Sequence, residues 1–218
     1  MNECRVDGCE RGIRAQFALP RGPAGWFVGH LMAAKNRERG RWVVSMLQVD
    51  SPHRVLEIGF GPGVDVARVA RLTVNGLAAG VDPSGEMLRQ ATRRNADAIR
   101  AGRVDLRLGA ATRLPFEDAS FDRVFASNSV QFWGDLPRAL TEIRRVLRPG
   151  GFSAISIQPR NKGATADTTR AWGERLCRAL AEAGFVRIES RRVDLPPLPV
   201  VCVFGTRPAS APLERPPA

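Results

Sequence analysis

The stretch Val55-Leu56-Glu57-Ile58-Gly59-Phe60-Gly61-Pro62-Gly63 decides the architecture predicted for this chain. The short apolar run that ends at Ile58 is typical of a buried strand, and the glycines that follow predict a tight loop. Because glycine lacks a Cβ atom, a ligand can approach the backbone N–H groups of such a loop closely. Apolar residues then recur at helical spacing as far as Leu72, which predicts the succession strand, loop and helix.

The same succession continues to both sides of this stretch. Residues 23–48 have helical character with a break at Gly40, and Ser84 is placed to cap a later helix. Links are short, so the alternation predicts a mainly parallel sheet covered by helices on both faces, with the last two strands as an antiparallel hairpin. The predicted strands are 54–58, 77–82, 104–108, 121–126, 152–157, 185–193 and 200–205, and the predicted later helices are 64–72, 84–100, 136–147 and 168–183.

The strand ends carry the chemistry, because ligands of such sheets bind at the carboxyl ends of the strands. A dinucleotide-binding loop would place its third glycine at position 64, where this chain has Val64, so a pyrophosphate ligand is disfavoured. Glu57 suits an ammonium group better than a phosphate. Asp82, at the end of the next strand, is placed to accept hydrogen bonds from both hydroxyls of a ribose. S-adenosylmethionine is a ligand with a ribose and an amine but no phosphate.

Four sequence blocks, in order, make residues 50–157 resemble the class I S-adenosylmethionine-dependent methyltransferases. They are 55–63 (VLEIGFGPG), 80–88 (GVDPSGEML), 114–122 (LPFEDASFD) and 147–151 (LRPGG). The resemblance implies a doubly wound, Rossmann-like α/β fold with a seven-stranded sheet of order 3-2-1-4-5-7-6, in which strand 7 is antiparallel. It also implies methyl transfer that leaves S-adenosylhomocysteine as the product.

The resemblance also implies which residues bind the cofactor. Glu57 and Gly59 would hold the methionine moiety, and Asp82 the ribose. In many relatives an aspartate follows the glycine after strand three and contacts the adenine, whereas here two alanines follow Gly109, so backbone groups are expected to do this. The full predicted set is Glu57, Gly59, Phe60, Gly61, Gly63, Asp82, Pro83, Met87, Gly109, Ala110, Ala111 and Asn128.

The acceptor side is predicted from fewer residues. In the resembling family the N-terminal segment often forms a lid, so we expect residues 1–48 to be a helical lid, 49–206 the cofactor-binding domain and 207–218 a disordered proline-rich tail. His30 is the candidate general base, its alternative being a helix residue in packing or solvent. The candidate acceptor residues are Trp26, Gln131, Trp133 and Gln158, with core packing as the alternative for the tryptophans. The preferred acceptor is a small, aromatic or heterocyclic metabolite.

Composition leaves two other functions open. The net charge of +11 suggests a polyanion, yet the arginines are spread along the whole chain, as on solvated helix faces. An RNA or protein methyltransferase is therefore the less favoured alternative, and a cofactor-binding protein without turnover is another. The sequence predicts no membrane span, no metal site, reduced cysteines and a cytoplasmic protein, either monomeric or homodimeric.

Overall fold

The computed structural model describes residues 36–209. Helices and strands alternate along this part of the chain, and one 3-10 helix, Val130–Phe132, follows the fourth strand. The strands are β1 (Arg54–Ile58), β2 (Leu77–Asp82), β3 (Val104–Leu108), β4 (Phe121–Ser127), β5 (Leu147–Ile157), β6 (Val186–Val193) and β7 (Val200–Thr206). The helices are α1 (Arg37–Met46), α2 (Val64–Leu72), α3 (Gly85–Arg94), α4 (Ala96–Arg100), α5 (Leu136–Val146) and α6 (Ala166–Glu182).

All seven strands form one sheet in the order β3-β2-β1-β4-β5-β7-β6. Strands β1 to β5 pair in parallel, and β7 pairs antiparallel with both β5 and β6. This confirms the predicted fold and strand order. Because β1 is central, the glycine loop that follows it lies in the middle of one edge of the sheet.

Two apolar cores, one on each face of the sheet, hold the helices in place. Successive residues of β1 point to opposite faces, so Leu56 and Ile58 belong to one core and Val55 to the other. The first core is completed by α5 and α6, and the second by α1, α2 and α3. In the part of the chain that the structure describes, no helix has the length and apolar character needed to cross a bilayer.

The predicted helix 84–100 is in fact two helices. Ser84 caps the first, as predicted, because its Oγ atom accepts a hydrogen bond of 3.3 Å from the Met87 N–H. The break comes at Asn95, whose side-chain Nδ2 atom donates to the carbonyl oxygens of Gly63 and Ala91, at 3.1 and 2.8 Å. A side-chain amide that bonds to the backbone in this way competes with helix continuation.

The predicted break at Gly40 is wrong, because α1 runs through it. A Cβ atom at this position would lie 2.2 Å from Oδ1 of Asp65, so the glycine permits the close approach of α1 to α2.

The last strand before α6 begins earlier than predicted: β5 starts at Leu147 and includes the Pro149-Gly150 pair. Arg207, at the start of the predicted tail, exchanges backbone hydrogen bonds with Gly150 and Gly151 at 3.0 and 2.8 Å.

We expect Gly63→Ala to destabilise the protein more than Gly150→Ala. Both glycines have a left-handed backbone, with φ of 73° and 78°, so either alanine costs about 1–2 kcal/mol in strain. At Gly63 the new Cβ atom would also lie 2.6 Å from the Cβ atom of Ala91, whereas a Cβ atom at Gly150 would meet nothing within 4 Å. Overpacking adds about 1–3 kcal/mol at Gly63 alone. Urea unfolding of both variants measures the difference, and equal losses would contradict this account.

Candidate active site

A cavity of about 220 Å³ opens at the carboxyl ends of β1 to β4. Its position is the one predicted for a parallel sheet, at the edge where the loops after these strands converge. The residues that line it come from α1, the glycine loop, the start of α2 and the segments that follow β2, β3 and β4. They are Asn36, Arg39, Glu57, Ile58, Gly59, Phe60, Gly61, Pro62, Val64, Asp65, Val81, Asp82, Pro83, Met87, Gly109, Ala110, Ala111, Ser127, Asn128, Ser129, Phe132 and Trp133.

The glycine loop turns sharply against β2. The N–H group of Gly59 donates to the carbonyl oxygen of Val81 at 2.7 Å, and Gly59, Gly61 and Gly63 all have positive φ. Beside Gly61 there is open space, since a Cβ atom there would meet nothing within 4 Å. The loop therefore leaves room for a ligand next to its backbone at Gly61.

Glu57 is a buried acid with an unused oxygen. Its carboxyl group receives a hydrogen bond from the Val66 backbone, while its Oε2 atom has no partner among the described residues. Burial, and then the nearby carboxylates of Asp65 and Asp82, raise the pKa of Glu57 well above its usual value. A cationic group bound to this oxygen would give the unpaired acceptor a partner. It would also offset the repulsion between Glu57 and the two aspartates.

Asp82 is held rigidly by two backbone donors. The Gly61 N–H donates to Oδ2 and the Ser84 N–H to Oδ1, both at 2.9 Å. Burial is the largest effect on its pKa, which is raised despite these two hydrogen bonds. Each carboxylate oxygen has a second lone pair, so Asp82 can still accept hydrogen bonds from two hydroxyl groups.

The next part of the cavity wall is mostly apolar. Pro83 and the buried Met87 follow β2, and the buried Phe60 lies on the glycine loop. Across from them is the segment 109–111, whose Gly109 N–H donates to the Asp82 carbonyl oxygen at 3.1 Å. Gly109, Ala110 and Ala111 thus line the cavity, and the adenine contact predicted for their backbone groups, in place of an aspartate, stays a prediction.

Two charged residues at the cavity were missed by the sequence analysis. Arg39, on α1, is only 3% exposed, and burial lowers its pKa to about 10. Asp65, at the start of α2, forms an ion pair with Arg68, and its pKa is raised by burial. Nothing local distinguished Arg39 from the other arginines of its segment, because its burial depends on the packing of α1 against the sheet.

Other predicted site residues divide into three groups. Trp133 and Asn128 line the cavity. Gly63, Gln131 and Gln158 do not, and each has another structural role. Gly63 packs against α3, Gln131 donates from Nε2 to the Asn128 carbonyl oxygen at 2.9 Å, and the buried Gln158 is held in a hydrogen-bond network after β5. The predicted Trp26 and His30 lie outside the described residues.

Comparison with known proteins decides the family. A family model described as "Methyltransferase domain" matches residues 56–155. An uncharacterized methyltransferase of Bacillus subtilis, YdaC, is 30% identical over 183 residues, which cover 84% of this chain and 99% of YdaC. This chain is a class I S-adenosylmethionine-dependent methyltransferase.

Two further comparisons place this methyltransferase among its relatives. A solved structure of a protein from Methanococcus maripaludis has the same fold, with a TM-score of 0.68, 20% identity and coverage of 85% of this chain and 94% of that one. The O-methyltransferase resE of Aspergillus sclerotiorum is 34% identical over 116 residues, or 53% of this chain and 44% of resE. The match to resE thus spans less than half the length of that protein.

Three observations on the cavity of this methyltransferase agree with S-adenosylmethionine as its ligand. The orphaned Oε2 atom of Glu57 suits an ammonium group, the open space beside Gly61 admits a ligand, and Asp82 keeps free lone pairs for a ribose. None of these features supplies the cation that a pyrophosphate would require. These three features therefore match a nucleoside that carries an amino acid and has no phosphate.

Replacing Glu57 with glutamine should lower the affinity for S-adenosylmethionine at least about tenfold, because a hydrogen bond to a charged group contributes about 1.5–3 kcal/mol. Calorimetric titration of the pure protein measures this affinity. The control is Glu117→Gln, a change at an exposed carboxylate outside the cavity, which should leave the affinity unchanged.

The stability of the same Glu57→Gln variant should fall less with rising pH than the stability of the wild type. A carboxyl group whose folded pKa is raised contributes stability below its unfolded pKa, and this stability is lost as the pH rises through the folded value. From about pH 4.5, the ordinary value for this group, to mildly alkaline pH, the free energy of unfolding should fall more in the wild type than in the variant. Urea unfolding at a series of pH values tests this, and identical pH dependence in both proteins would refute it.

Proposed function

We propose that this methyltransferase acts on a small-molecule acceptor that enters beside Phe132 and Trp133. The observation that carries the proposal is the aromatic rim of the cavity, where Phe132 is 49% exposed although it is a large apolar side chain. A concave site with an exposed aromatic rim is typical of the recognition of a flat or apolar metabolite.

In this proposal the residues of the cavity act mainly by holding the two reactants. The cofactor, when bound, supplies a methyl group on a positively charged sulfur. This methyl group would pass to the acceptor atom, and the electron pair of the broken bond would stay on the sulfur. Glu57, Asp82 and the glycine loop would fix the cofactor, and the aromatic rim would orient the acceptor for in-line attack.

The arginine surface gives the RNA or protein alternative little support. Five arginines form ion pairs with an acidic residue three positions earlier in the same helix, which reduces the charge that they present to a polyanion. These are Arg68, Arg89, Arg100, Arg145 and Arg170. The relatives in the comparisons favour neither this alternative nor a cofactor-binding protein without turnover.

Four predictions remain part of the proposal. The first is that residues 1–48 form a lid that carries Trp26 and His30, with His30 as base or orienting group. The others are the domain 49–206, the tail 207–218 and a cytoplasmic location. The predicted oligomeric state is a monomer or a homodimer.

Transfer of a labelled methyl group would test the acceptor class. The pure protein is incubated with S-adenosylmethionine labelled in the methyl group and with an extract of the source cells, which is then separated by ultrafiltration. We expect label in the small-molecule filtrate, including in extracts treated beforehand with ribonuclease and protease. Label confined to RNA or protein would overturn the proposal, and Glu57→Gln is the control with reduced transfer.

Truncation of the aromatic rim, Phe132 and Trp133, should lower methyl transfer to the acceptor and leave the affinity for the cofactor unchanged. We expect Phe132→Ala to lower the yield of labelled product while the dissociation constant for S-adenosylmethionine changes less than about twofold, because the side chain lies at the mouth of the cavity. Leu108→Ala is the matched control, an apolar side chain that is 56% exposed at the end of β3 and does not line the cavity. Equal loss of product in both variants would argue against a rim that binds the acceptor.

A further inference from the structure

Gln158, directly after β5, has a side chain whose orientation is fixed by its neighbours. Its Nε2 atom donates to the carbonyl oxygens of Leu195 and Leu198, at 2.9 and 2.7 Å, and lies 3.3 Å from that of Pro196. Since carbonyl oxygens accept and do not donate, the amide must present its nitrogen to this loop. Its Oε1 atom therefore faces away from this loop and is left to accept hydrogen bonds from other donors.

Two guanidinium groups converge on that single oxygen. Arg39 donates from Nη1 at 3.3 Å and Arg160 from Nη2 at 2.8 Å. Arg39 also reaches Ser127, with 3.5 Å between its Nε atom and the serine Oγ. These are contacts with neutral oxygens, and within residues 36–209 neither arginine forms an ion pair.

The charges around this pair are unbalanced. Burial is the main cause of the lowered pKa of Arg39, and repulsion by Arg160 adds to it. Asp65 and Glu57 act in the opposite direction, but Asp65 is already paired with Arg68 and burial raises the pKa of both acids. An anion between the two guanidinium groups would relieve their repulsion and bind through charge-assisted hydrogen bonds.

The position of the pair points to the acceptor instead of the cofactor. Asp82, the ribose-binding residue of the proposed function, ends β2, and Arg160 follows β5, three strand positions away in the sheet. At about 4.8 Å between neighbouring strands, the ends of β2 and β5 are about 14 Å apart. The cofactor groups assigned to Glu57 and Asp82 would lie at the ends of β1 and β2, which leaves the end of β5 for the second substrate.

We propose that Arg39 and Arg160 form an anion subsite, and that the methyl acceptor is an acidic small molecule whose carboxylate or phosphate binds there. The inference rests on the proposed function, because it concerns the acceptor of the same site. Arg39 would supply the buried contact at the cavity wall. Arg160, which is exposed, would close on the anion from the outside. Gln158 is a positioning residue that holds both arginines on one oxygen.

Binding of simple anions to the protein saturated with S-adenosylhomocysteine tests this subsite. Benzoate, inorganic phosphate and the uncharged benzamide are titrated separately in a calorimeter. We expect benzoate or phosphate to bind in the millimolar range or tighter, and benzamide to bind at least about tenfold more weakly than the better anion. The two anions distinguish a carboxylate from a phosphate, and absence of binding by both would overturn the proposal.

Variants then assign the binding to the two arginines. Arg160→Gln, a change at an exposed side chain, should weaken the better anion at least about tenfold and leave the affinity for S-adenosylhomocysteine unchanged. Arg39→Gln should weaken the anion similarly, and Arg178→Gln, at an exposed arginine of α6, should change nothing. If Arg160→Gln leaves anion binding intact while Arg39→Gln weakens S-adenosylhomocysteine, Arg39 serves the cofactor and the subsite does not exist. If the wild type fails to bind S-adenosylhomocysteine at all, what fails is the cofactor binding on which the proposed function depends.

Discussion

The hydrogen bond from the Gly61 backbone to the Asp82 carboxylate joins the loop after β1 to the end of β2, and the cavity depends on it. It forms only because the glycine loop turns back on itself with left-handed φ angles, a conformation that residues with a Cβ atom adopt at a cost. The Gly59 N–H strengthens the same junction by its bond to the Val81 carbonyl oxygen. Asp82 is thereby oriented before any ligand arrives, so binding does not have to order it.

Around this junction, three buried acidic side chains reduce the stability of the fold. Glu57, Asp65 and Asp82 are all buried, and burial is the first cause of the raised pKa of each. A core of apolar side chains in their place would be more stable, but it would have no affinity for a ligand with an ammonium group and a ribose. The unused oxygen of Glu57 is the clearest sign that this region is built for binding and not for folding.

The other side of the cavity is built by elements that are distant in sequence. Gly40 lets α1 approach Asp65, and this packing places Arg39 beside the ends of β4 and β5. Gln158 links α1 to the loop before β7 through its amide group. The part of the site around Glu57 and Asp82 thus rests on the sheet itself, whereas the part proposed for the acceptor depends on the docking of α1 and on a hydrogen-bond network.

The sequence by itself determined the order of strands and helices, the glycine loop, and the roles proposed for Glu57 and Asp82. These follow from periodicity and from residues that are neighbours in the chain, where a strand end and its loop lie within a few positions. Only the tertiary structure decided that α1 continues through Gly40, that Asn95 divides a helix, and that Arg39 is buried at the cavity. Arg39 and Gln158 are 119 positions apart, and a contact of this kind leaves no local pattern because both residues depend on how the sheet and helices pack. Apolar periodicity indicates which face of α1 is buried, but it does not show which charged side chain is buried with it.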